Sequence, residues 1–135
     1  ELGLGIKAKL VSFAFAGVAP EIMGYGPVPS TIKALSKAGL SISDIGLFEI
    51  NEAFAVQVLS FLDHFGIADD DARVNKYGGA IAFGHPLASS GVRLMTQLAK
   101  QFEEDNSVRY GLTTMCIGLG MGGTVIWENM NWKGN

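Results

Sequence analysis

The chain has 135 residues, 48% of them hydrophobic, and ten basic against thirteen acidic side chains give a formal charge of -3. That length holds one compact core and leaves too little for a second. The basic residues are few and scattered, which excludes a binder of nucleic-acid backbone. No apolar run reaches the length of a membrane span, and residues 1–5 lack the basic flank and apolar segment of a signal peptide, so a soluble, cytoplasmic protein is expected.

A single cysteine closes no internal disulfide, in keeping with a reducing compartment. The chain starts at Glu1 rather than methionine and enters an apolar run almost at once, from which a missing upstream segment is expected. Eighteen glycines sit between apolar runs instead of forming a low-complexity tract, and no repeat or proline-rich linker divides the sequence.

In chain order, the run from about Ile6 to Val18 reads as a central strand buried on both faces. Pro20, Gly24, Gly26 and Pro27 mark a loop, after which Val28-Pro29 opens a short helix through Ile32, Leu35 and Lys37 that Gly39 ends. Gly46 to Ile50 reads as a second strand. Asn51 follows as a candidate N-cap, with Glu52 in the first turn complementing the helix dipole. The helix predicted from about Glu52 to Phe65 carries Phe54, Val58, Phe61, Leu62 and Phe65 at helical spacing and stops at Gly66.

Residues 67–76 read as an acidic loop around Asp69-Asp70-Asp71. The small, apolar stretch Gly78 to Gly84 leads into His85-Pro86 and a helix from about Ser89 to Gln101, whose small first turn suits close packing. Val108 to Cys116 and Thr124 to Glu128 read as an antiparallel pair joined by a glycine-rich turn. This alternation predicts an α/β fold with a mostly parallel sheet whose last strand is antiparallel. Ligands of such sheets collect at the carboxyl ends of strands, where Asn51 and Cys116 both fall.

Three breaks between elements thus carry an imidazole, a thiol and a carboxamide, a grouping suited to carbonyl chemistry. Between Gly84 and Pro86 the backbone of His85 is tightly restricted, so its ring can be aimed as a base or as a donor to an oxyanion. A buried histidine bonded to a carbonyl satisfies the same pattern. Cys116 is either an ordinary buried cysteine or an acid/base, since a thiol with a pKa of about 8.5 exchanges protons at modest cost. Gly118 and its neighbours can present backbone N–H groups to an oxyanion beside that thiol, or can simply turn a tight hairpin. Asn51 either caps a helix or holds a water that donates to a carbonyl oxygen. His64 reads as a surface residue, the five methionines as core filler, and no metal-ligand spacing is present, so no metal is expected.

Asn51-Glu52-Ala53-Phe54-Ala55, the run Gly78-Gly79-Ala80-Ile81-Ala82-Phe83-Gly84-His85-Pro86, and Cys116-Ile117-Gly118-Leu119-Gly120-Met121-Gly122 resemble, in order and spacing, the three C-terminal signatures of the thiolases, the acetyl-CoA acyltransferases. The resemblance covers essentially the whole chain, residues 1–135, as one thiolase C-terminal domain, and implies a mixed, mostly parallel, five-stranded-type sheet with the last strand antiparallel and helices on both faces. Thr113-Thr114-Met115 before the cysteine and Leu87-Ala88-Ser89-Ser90-Gly91 look closer to the degradative 3-ketoacyl-CoA branch. Ala88-Ser89 stands where many relatives have glycine followed by a small residue.

The resemblance implies that His85 activates a nucleophilic cysteine and, with a water held by Asn51, forms an oxyanion hole for the thioester enolate. It implies that Cys116 is the acid/base and that the Gly118 N–H serves a second oxyanion hole. Phe54 and Met121 would line the acyl or pantetheine channel, although packing explains them equally well. Coenzyme A and acyl-CoA would be substrates, with no cofactor, and the whole protein would be a homo-oligomer. In this family the nucleophile comes from an N-terminal half absent here, so the chain alone is expected to be inactive. Two other readings stand beside this one: a Cys-His hydrolase with Cys116 as nucleophile, and a non-catalytic acyl-CoA or lipid-binding module.

Overall fold

The structure, a computed structural model, describes residues 3–134. The first strand, β1 (Ala8–Gly17), buries Ser12, Ala14 and Ala16 on one side and leaves Leu10, Phe13 and Phe15 exposed on the other. It is therefore covered on one face, where its unbroken apolarity had suggested two. A 3-10 segment, Pro20–Tyr25, leads into α1 (Pro27–Ala38), which starts on a proline whose missing N–H costs nothing there and ends at Gly39 in the left-handed region, φ 67°.

A short 3-10 turn, Ile42–Asp44, is closed by a capping box between Ser41 and Asp44 and delivers the chain to β2 (Ile45–Ile50). Next come α2 (Ala55–Phe65), which also ends on a left-handed glycine, Gly66, then a four-residue helix, α3 (Ala80–Phe83), and α4 (Ser90–Glu104). Two strands, β3 (Tyr110–Ile117) and β4 (Met121–Asn129), form a hairpin around residues 118–120. The approach of α1 to β4 is close enough that a Cβ on Gly26 or on Gly122 would overlap the backbone of the other segment.

The sheet runs in the order β1-β4-β3-β2; β1, β2 and β3 point the same way and β4 opposes them. The last strand is antiparallel as expected, but it lies between β1 and β3, so only the β2–β3 pairing is parallel. The sheet has four strands, which corrects the expectation of a mostly parallel, five-stranded-type sheet. A fifth position is only sketched: Val74 makes an isolated parallel bridge with Phe48, whose N–H donates to the Arg73 carbonyl at 2.9 Å while the Asn75 N–H donates to its carbonyl at 2.8 Å. Asp71 keeps this segment from extending into a ladder, because it accepts from both the backbone N–H and the guanidinium of Arg73 and turns the chain there.

Helices cover both faces. On one face α1 and α2 bury Val28, Ala34, Leu35, Phe61 and Leu62 against Phe48, Ile50, Leu112 and Ile126 of the sheet. A hydroxyl cluster sits within that layer, where Thr124 Oγ1 lies 2.8 Å from Ser30, 2.9 Å from Thr31 and 2.7 Å from Thr114, so each buried hydroxyl has a partner. On the other face α4 packs Leu98 and Phe102 against Leu47. It covers β2 and β3 but leaves β1 and part of β4 open, and Phe13 and Phe15 remain 51% and 65% exposed there beside Met95 of α4. Among the described residues no helix is long and apolar enough to cross a membrane.

Candidate active site

Asn51 does not cap a helix. Its backbone N–H donates to the Thr114 carbonyl at 2.9 Å and carries the β2–β3 pairing one residue further, so α2 starts later and Phe54 takes the N-cap position, its carbonyl accepting from Gln57. Strand alternation then sends the fully buried Asn51 side chain to the α4 side of the sheet, the side that Glu49 also faces. Its Nδ2 lies 3.4 Å from Nε2 and 3.5 Å from Nδ1 of His85, and its Oδ1 accepts from Nη2 of Arg93 at 3.4 Å.

His85 lies on the exposed link between α3 and α4, with its Nδ1 2.6 Å from the hydroxyl of the buried Ser90 at the start of α4. The link is tied down by Glu52, the residue expected only to complement a helix dipole. One carboxylate oxygen of Glu52 accepts from the Ile81 N–H at 2.9 Å and the other from Nδ2 of Asn75 at 2.8 Å. Asn75 in turn grips both backbone groups of Ile50, accepting from its N–H at 2.8 Å and donating to its carbonyl at 3.0 Å. Gly79 has to be glycine for this arrangement, because a Cβ there would overlap the Glu52 carboxylate.

Cys116 is near the end of β3, two residues past Thr114, but its half-buried thiol turns toward α2 and reaches Oε1 of Gln57 at 3.9 Å. Burial pushes this thiol above its ordinary range, the only opposing influence being a hydrogen bond from its own backbone. Gln57 is buried with its Nε2 unpartnered, and it also lines an apolar cleft of about 460 Å³ together with Ile22, Tyr25 and Phe54. Phe54 is 54% exposed in that cleft; Met121, also exposed, is not among the residues lining it. Gly118 is exposed in the hairpin turn, with open space around its Cα.

Two stations therefore sit on opposite faces of the sheet at the carboxyl ends of β2 and β3. Asn51 and His85 touch on the α4 side, while Cys116 pairs with Gln57 on the α2 side. Arg93, Ser90, Glu52, Asn75 and Gln57 escape a reading of the sequence alone, since polar residues on helices and loops read as solvent-facing. Among the described residues no group of three or more His, Cys, Asp or Glu lies close enough to hold a metal ion.

The α4 side also contains Glu49, which is fully buried. Its Oε1 accepts from Nε2 of Gln101 at 2.6 Å, and its Oε2 has no hydrogen-bond partner. Burial raises this carboxyl to about 7, against the opposing pull of the Gln101 hydrogen bond and the Arg93 charge.

The profile described as "Thiolase, C-terminal domain" matches residues 4–129 of the chain. The chain belongs to the thiolase family. It is 55% identical over 131 residues to a 3-ketoacyl-CoA thiolase of Photobacterium profundum, an alignment that covers 96% of this chain and 34% of that thiolase. A 3-ketoacyl-CoA thiolase of Escherichia coli O139:H28 is 51% identical over the same length, with the same two shares. The crystal structure of the Bacillus anthracis acetyl-CoA acetyltransferase superposes with a TM-score of 0.88 at 35% identity, covering 95% of this chain and 32% of that one. The chain thus spans about a third of the length of the thiolases it matches.

Proposed function

We propose that this domain supplies the acid/base and oxyanion-binding groups of a 3-ketoacyl-CoA thiolase, while the remaining two thirds of the protein supplies a nucleophilic cysteine. The observation that carries this reading is the contact between the Asn51 carboxamide and the His85 ring, with Cys116 at the end of the neighbouring strand. In thiolysis His85 takes the proton of the nucleophilic thiol, and the thiolate adds to the 3-keto carbon. Collapse of that adduct breaks the bond between C2 and C3, leaving an acyl-enzyme thioester and the enolate of acetyl-CoA. The enolate takes its proton from Cys116, the Cys116 thiolate takes one from incoming CoA, and the CoA thiolate releases the acyl group as a new thioester.

Each group suits its step. A thiol pushed up by burial stays protonated at neutrality and is an acid before it is a nucleophile, which favours this reading over a cysteine hydrolase. A water held by Nδ2 of Asn51 together with the imidazole can donate to the enolate oxygen, and a preorganised donor of that kind is worth about 2.7 to 4 kcal/mol in the barrier. The Gly118 N–H, in the turn just past Cys116, would serve the tetrahedral adduct, and Phe54 with its cleft would take the acyl chain. Met121 would border the channel from the β4 side.

Coenzyme A is then substrate rather than cofactor, and the chemistry calls for no metal. The open apolar face along Leu10, Phe13 and Phe15 fits the rest of the thiolase, which would bury it. The complete protein would assemble as a homo-oligomer in the cytoplasm, where a free thiol and CoA are both kept reduced.

The test joins this domain to the preceding two thirds of the Photobacterium relative and follows cleavage of acetoacetyl-CoA. Activity is expected in the joined protein and none in this domain alone. His85→Ala is expected to lower kcat by about a hundredfold or more. Full activity in that variant would overturn the assignment.

A further inference from the structure

Beside the apolar row Leu94, Leu98 and Phe102 that packs on the sheet, α4 carries a second row that is polar and faces the site. Ser90, Arg93, Gln97 and Gln101 recur every three or four residues and meet, in turn, His85, Asn51, the Gly78 carbonyl at 3.3 Å and Glu49. We propose that Arg93 is a positioning residue that sets which way round the Asn51 carboxamide sits, and that the reaction depends on it. This inference rests on the acyl-transfer reading above.

The backbone of Asn51 is fixed by its bond to Thr114, which leaves the 180° flip of its amide as the open choice. Imidazole cannot make that choice, because one ring nitrogen donates while the other accepts. A guanidinium only donates, so it accepts Oδ1 as neighbour and rejects Nδ2. Arg93 lies 3.4 Å from Oδ1 and thereby leaves the two N–H groups of Nδ2 for the His85 side of the site. Arg93 is itself held from behind: Nη1 donates to Gln97 Oε1, and Glu49 places a carboxyl near its charge. A flipped amide would put an oxygen where a donor to the enolate is needed, and no bond elsewhere would hold the donor in place.

The experiment is a double-mutant cycle in the full-length thiolase containing this domain. Arg93→Met is expected to lower kcat about tenfold while KM for acetoacetyl-CoA moves by less than about twofold, because it disturbs a transition-state donor and not substrate binding. Placed on Asn51→Ala, the same substitution is expected to change kcat by less than about twofold, since no amide is left to orient. Arg93→Lys, which also only donates, is expected to keep most of the activity. If Arg93→Met does not fold, Arg93→Gln keeps the polar packing and offers Asn51 either a donor or an acceptor. Its loss is expected to match that of Arg93→Met and likewise to vanish on Asn51→Ala. A loss that multiplies undiminished on Asn51→Ala would overturn the inference while leaving the acyl-transfer reading intact. Full activity of Asn51→Ala alone would instead overturn that reading, and this inference with it.

Discussion

Ser90 anchors the imidazole of His85. Its Oγ lies 2.6 Å from Nδ1 of the imidazole and 3.3 Å from the Pro86 carbonyl one helical turn back. A hydroxyl has one proton to give, so it either donates to Nδ1 or gives that proton to Pro86 and receives Nδ1–H, and both arrangements hold the ring in place.

Ser90→Ala removes that constraint. The imidazole nitrogen chemical shifts of His85 are expected to move, and kcat to drop by about tenfold as the ring loses its anchor. An unchanged nitrogen spectrum would show that another group holds the ring.

Glu49 makes stability depend on pH. Its carboxyl sits at about 7 in the fold against an ordinary 4.5, with Gln101 and Arg93 pulling it down, Glu52 pushing it up, and burial dominating. A raised carboxyl means that the folded state holds the proton longer than the unfolded one. Its contribution is therefore most favourable below 4.5 and is lost as pH rises to about 7, a change on the order of 3 kcal/mol. Glu49→Gln is expected to match the parent in urea unfolding near pH 4.5 and to gain on it progressively up to neutrality. A constant gap between the two proteins across that range would refute the account.

Cys116 should react slowly with iodoacetamide near neutrality and only speed up well above the pH at which the unfolded chain reacts, because burial disfavours its thiolate. Comparing alkylation rates in native buffer and in urea across a pH series checks this. Equal rates in the two media would sink it.

Gly79→Ala places a methyl group on the Glu52 carboxylate and pushes it off both Ile81 and Asn75. The loss is expected to reach about 1 to 3 kcal/mol, the net worth of two hydrogen bonds at about 0.5 to 1.5 kcal/mol each. Because Glu52 ties down the link carrying His85, activity should fall with it. Chemical denaturation and acetoacetyl-CoA cleavage measure the two effects.

Much of this was legible in the residues. The apolar runs and their glycine and proline stops located every strand and three of the helices, and Gly39 and Gly66 end α1 and α2 where expected. The short helix Ala80–Phe83 was hidden because its four residues span too little chain to show a period. Of the two readings of Asn51 the cap is the one that fails, because a polar residue after a strand is locally favoured there, whereas the bond from its N–H to Thr114 depends on a strand more than sixty residues away. The buried roles of Arg93, Gln97 and Gln101 were hidden for a related reason: a polar stripe points to solvent unless something equally polar lies beneath it, and Glu49, in a strand otherwise apolar apart from Gly46, was the one sign that it did.

β4 lies between β1 and β3, and β1 has no other strand partner among the described residues. β4 is thus the last of these strands to leave the ribosome, and Ala8 must wait for Asn129, its register partner, before it can settle. Until then Phe13 and Phe15 belong to an unpaired apolar ribbon, a form that invites clumping. Pairing β1 with β4 closes a long loop, and that closure is the slow step in completing the sheet.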